Sequence, residues 1–113
     1  MSTQEEGQQG GKKPIEINIT QKDGDLSYDP CCPKVKRGDL IHWICERENG
    51  DYFAVHIGWN TPLDEGRYRK PCGAKIVAQV DDDAQYGEYK YSVSVFDGSD
   101  IWTDDPIFIV RRR

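Results

Sequence analysis

Ile15, Ile17 and Ile19 alternate with Glu16, Asn18 and Thr20. Successive side chains of a strand point to opposite faces, so this period of two predicts a strand with one buried side. The same period runs through Leu40–Cys45, with Ile41, Trp43 and Cys45 on one face and Leu40, His42 and Ile44 on the other. It is clearest over residues 87–96, where Tyr89, Tyr91, Val93 and Val95 oppose Glu88, Lys90, Ser92 and Ser94. Shorter strands are expected at Val35, over residues 52–57 and 74–80, and at Ile107–Val110. Asp23-Gly24, Asn49-Gly50, the acidic run 81–84 and residues 97–100 are turn signals between them. Residues 27–33, with two prolines bracketing Cys31 and Cys32, read as a loop or irregular edge. Residues 58–73 are rich in glycine, proline and charge and read as a long surface loop. No helical periodicity of useful length is present. About seven short strands with turns between them predict an all-β, Greek-key, two-sheet sandwich.

The 113 residues suit one domain. Residues 1–13 are polar and glycine-rich, and read as a disordered tail before a folded unit over 14–110. Apolar residues make up only 36%, so six Tyr, three Trp and three Phe must supply much of the core. The net charge of −5 and pI near 4.9 argue against nucleic acid as a partner, because phosphate binding needs clustered cations. The one basic run, residues 111–113, reads as a solvated C-terminal tail. No stretch approaches the length of a membrane span, and the first residues have no apolar core of the signal-peptide kind. A cytoplasmic location is therefore expected, with the four cysteines reduced. In a secreted domain the same even count would permit two disulfides.

Three segments together resemble the cupredoxins. The first is residues 33–43, in which a proline-led loop runs into Val35-Lys36-Arg37-Gly38-Asp39 and then Leu40-Ile41-His42-Trp43. The second is Gly87-Glu88-Tyr89-Lys90-Tyr91, similar to the strand that leads into that family's copper loop. The third is the closing strand Ile107–Val110. The resemblance covers residues 14–110 and implies a cupredoxin-like fold, with an immunoglobulin-like sandwich as the alternative. A type 1 copper site takes a Cys thiolate, two His and a weak axial ligand such as Met. The position matching the family's Cys is Val93; no His lies at residues 51–53, and residues 96–105 contain neither His nor Met. The resemblance thus implies a fold whose blue-copper centre is lost.

His42 and His56 are the only histidines. A lone His on a strand is usually a surface residue. A Zn or Cu site drawing on Cys31, Cys32, Cys72, His42 and His56 is the alternative reading, although no Cys-x2-4-Cys pair is present to seed it. Cys45 is expected to be buried as a small apolar residue. Cys72, between Pro71 and Gly73, is expected to be exposed. Lys34, Lys36 and Arg37 are the only groups near Cys31 and Cys32 that would lower their pKa. The acidic runs lack the ligand spacing of a calcium loop and read as solvated turns. No serine or cysteine sits in a nucleophile motif, so no enzymatic activity and no cofactor are expected. The leading expectation is a non-catalytic binding module for a protein or small ligand, through a loop surface with Trp59, Arg67, Tyr68, Arg69 and Trp102.

Overall fold

The computed structural model describes residues 13–22, 25–46, 51–58, 60–96 and 98–112. The expected disordered tail lies almost wholly outside them, as do Trp59, Asp97 and the Asn49-Gly50 and Asp23-Gly24 turns. The described residues form eleven strands: β1 (Ile15–Lys22), β2 (Asp25–Asp29), β3 (Lys34–Val35), β4 (Leu40–Cys45), β5 (Tyr52–His56), β6 (Arg67–Pro71), β7 (Lys75–Gln79), β8 (Gly87–Lys90), β9 (Ser92–Phe96), β10 (Ile101–Asp104) and β11 (Ile107–Val110). The described residues contain no helix. The molecule is all-β, with several sheets in a sandwich-like arrangement.

One sheet has the order β2–β1–β4–β7, with β1 and β4 parallel. A second has the order β10–β9–β5–β6, and a third the order β3–β11–β8, with β3 and β11 parallel. The second and third are joined by one long hairpin, β8–β9 against β10–β11. Lys90 pairs with Ile107 and Val93 with Asp104, in unbroken register. The ladder is interrupted where Pro106, which has no N–H to give, faces Tyr91. Tyr91 N still donates to Pro106 O at 3.0 Å. The strand expected over 87–96 is therefore present, divided at Tyr91.

The alternating residues meet in one core. Ile17, Ile19, Ile41, Trp43, Phe53, Val55, Ile76, Val93, Val95 and Phe108 are all fully buried. Trp43 from the first sheet packs on Tyr91 edge to face, with ring centroids 5.5 Å apart, and on Tyr68 at 6.2 Å. Tyr91 in turn meets Phe108 at 5.5 Å. Trp43 Nε1 donates to Tyr91 Oη at 3.2 Å in this buried setting, so the indole is satisfied without water. The turn after β3 is closed by Lys36 N donating to Asp39 Oδ2 at 2.8 Å, with Gly38 at φ 84°. At the C-terminus Arg111 N donates to Val35 O at 2.9 Å, and the Arg112 guanidinium lies 5.6 Å from the Tyr86 ring.

Three strands were not legible in the sequence. β2 alternates over five residues only, Leu26 and Tyr28 against Asp25, Ser27 and Asp29, and overlaps the segment 27–33 read as a loop or irregular edge. β6 falls inside the segment read as a long loop, and β10 follows the turn expected over 97–100, where no strand was expected before Ile107. All three are sheet edges. An edge strand needs fewer apolar residues than a central one, and charge on it blocks pairing with other chains.

Candidate functional site

The inner and outer faces of β10–β9–β5–β6 follow from its register. Val93, Val95, Phe53 and Val55 point into the core. Residues directly opposite in an antiparallel pair share a face, and neighbours along a strand alternate. The outer face therefore carries Phe96 and Ile101, which pair on β9 and β10, and Tyr52 and Pro71, which pair on β5 and β6. Phe96 and Tyr52 are one step beyond the Val95–Phe53 pair, so the four side chains form one row across the sheet. Ile101 is 68% exposed, Tyr52 49% and Phe96 42%, and Pro71 is exposed as well. At about 4.8 Å per strand the row spans about 14 Å.

The next row is Thr103, Ser94, Ala54 and Arg69. Its hydroxyls, Ser94 Oγ and Thr103 Oγ1, are 3.3 Å apart. Arg69 reaches back over the Tyr52 ring at 5.5 Å. The row beyond contains Ser92, His56 and Arg67, and Ser92 Oγ donates to Asp105 Oδ1 at 3.0 Å. The face thus has an apolar end, a cationic margin on β6 and a carboxylate margin beside β10. A shallow groove of about 380 Å³ between β6 and β7 adds Lys70 and Lys75 to the cationic side. A polar hollow of about 610 Å³ lies among His56, Asp64, Glu65 and Arg67.

The residues expected to form one loop surface are placed otherwise. Arg67, Tyr68 and Arg69 lie on strand β6 and Trp102 on strand β10, not in loops. Arg67 and Arg69 are exposed on the outer face. Tyr68 points the other way. Its ring meets Trp43, its hydroxyl donates to Asp64 Oδ1 at 2.6 Å and accepts from Glu65 N at 3.0 Å, and burial raises its pKa. It fastens the 60–66 loop to the core. Trp102 pairs with the fully buried Val95, so it too faces inward, half-buried at the far edge of the sheet. β9 and β5 separate it from β6. The sequence did hold a signal for the outer row. Alternation puts Phe96 on the face of Ser92 and Ser94, and Tyr52 opposite Phe53; both are aromatic residues on a polar side.

The alternative metal residues are scattered. His42 lies on the outer face of the first sheet between Glu16 and Val77, and its Nδ1 is buried without a protein partner. Desolvation and then Lys75 hold its pKa below the usual value, against Glu16. His56 is exposed on β5, in the other layer. Cys31 and Cys32 are exposed in the loop before β3. The Cys32 thiol is pushed up, chiefly by its hydrogen bond with Cys31, so the nearby cations do not activate it. Cys72 corrects the expectation of exposure: it is only 8% exposed and its Sγ lies 3.1 Å from Cys45 Sγ. The chain leaving Pro71 turns inward, because Cys72 N donates to Asp51 O. Among the described residues no three His, Cys, Asp or Glu are gathered as a metal would need. No helix among the described residues is long and apolar enough to cross a membrane.

No protein-family model matches the chain, and no curated protein matches it.

Proposed function

We propose that this chain is a non-catalytic interaction module of cupredoxin-like, Greek-key fold without a blue-copper centre, and that it docks a protein partner on the outer face of β10–β9–β5–β6. The row Ile101, Phe96, Tyr52 and Pro71 carries this reading. Isolated exposed apolar residues are ordinary, but a contiguous row beside charged margins has the composition of an interface core with a polar rim. Tyr52 under Arg69 pairs two of the three residue types enriched at binding hot spots. The partner's chemistry follows: an apolar patch flanked by carboxylates that meet Arg67 and Arg69. The copper-free reading is supported by Val93, fully buried at the position of the resembled family's cysteine.

The test is Phe96→Asp, with Arg69→Glu beside it. Both side chains are exposed on the outer face, so the expected Tm change is within a few degrees. Proteins captured on the immobilised chain should be lost from both variants. Capture that is indistinguishable between the wild type and Phe96→Asp would sink the assignment of this face.

A further inference from the structure

Cys45 is the last residue of β4, in the first sheet, and Cys72 follows the last residue of β6, at the edge of the second. They are 27 positions apart in sequence, yet their sulfurs are 3.1 Å apart. Neither is in a disulfide, and both are buried. Two backbone hydrogen bonds hold the segments together. Cys72 N donates to Asp51 O, and Gly73 N donates to Cys45 O at 3.1 Å. A disulfide needs its sulfurs about 2.05 Å apart, so closure takes a movement of about 1 Å.

We propose that Cys45 and Cys72 are a redox site at which the two sheets become covalently joined by an intramolecular disulfide. The oxidant is a small disulfide of the glutathione class. Cys72 is the more accessible, at 8% exposure against 1% for Cys45. Its thiolate attacks one sulfur of the oxidant, a mixed disulfide forms, and one small thiolate leaves. The Cys45 thiolate then attacks Cys72 Sγ, the protein S–S bond forms and the second small thiolate leaves. Two electrons pass to the oxidant, and the two protons from the protein thiols end on the two small thiols released. Cys31 and Cys32 stay outside the reaction. They are adjacent in sequence, and the Cys32 thiol is raised by its neighbour. The product closes a loop containing β5 and β6, which restricts the unfolded chain. It also fastens the chain beside Pro71, at the end of the outer row, to the first sheet.

The experiment equilibrates the full chain with oxidised and reduced glutathione, quenches it with acid and measures intact mass, thiol count in denaturant and Tm. The expected product has lost two hydrogens, about 2 Da. It keeps two reactive thiols of the four in the chain. Trypsin without reductant should release residues 38–47 linked to residues 70–75. Tm should rise by roughly 10 °C and fall back on adding dithiothreitol. Four thiols at every glutathione ratio, a lasting mixed disulfide at Cys72, or a link to Cys31 or Cys32 would each overturn the proposal. Wild-type protein carries all these readouts, so none depends on a cysteine variant folding.

Discussion

Trp43 and Tyr91 join the two layers through one buried hydrogen bond and one edge-to-face ring contact. Burial pushes the Tyr91 hydroxyl up to about 12, against the lowering effect of the bond from Trp43. The unfolded chain therefore loses this proton first as pH rises above about 10. Stability that Tyr91 contributes is complete below pH 10 and is lost as pH climbs through about 12. The loss is on the order of 2–3 kcal/mol. Tyr28 and Tyr68, both raised by burial, steepen the same decline. Guanidinium unfolding at neutral pH and near pH 11 checks it. Tyr91→Phe should cost about 1 kcal/mol at neutral pH, because Trp43 Nε1 loses its acceptor. It should also decline less steeply than the wild type at high pH. An unchanged alkaline slope would show that Tyr91 is not the group responsible.

β6 and β10 show how far periodicity reaches. β6 reads Arg-Tyr-Arg-Lys-Pro and buries only one face of Tyr68, so its sequence looks like a loop. Its course is imposed by pairing, from Tyr52–Pro71 to His56–Arg67. Close packing at its entry adds to this: a Cβ at Gly66 would lie 2.6 Å from Gly58 O. β10 is similarly fixed by β9, and this decides what Trp102 does. Because it shares the inner face with Val95, Trp102→Ala should lower stability by about 2–3 kcal/mol, read as a clear drop in Tm. A Tm unchanged within a degree or two would place the indole in solvent and return it to the candidate binding surface.

The two layers together hold what neither shows alone: one aromatic core and a dithiol between sheets. The reading without a metal centre belongs to the molecule as a whole. Incubation with Cu²⁺ or Zn²⁺ followed by desalting should leave far less than one equivalent bound by elemental analysis; one retained equivalent would overturn it. The strands with period-two alternation and the burial of Ile17, Trp43, Tyr91 and Val93 were legible in the chain. Each depends on residues close together in sequence, whose facing is set by the pleat. The edge strands β2, β6 and β10, the gathering of Ile101, Phe96, Tyr52 and Pro71 into one row and the Cys45–Cys72 contact were not. They arise when segments distant in sequence pair in a particular register, and register is selected by burying many apolar side chains at once. That joint condition has no local signature, which is why Cys72 between Pro71 and Gly73 reads as a surface residue until Asp51 and Cys45 are placed beside it.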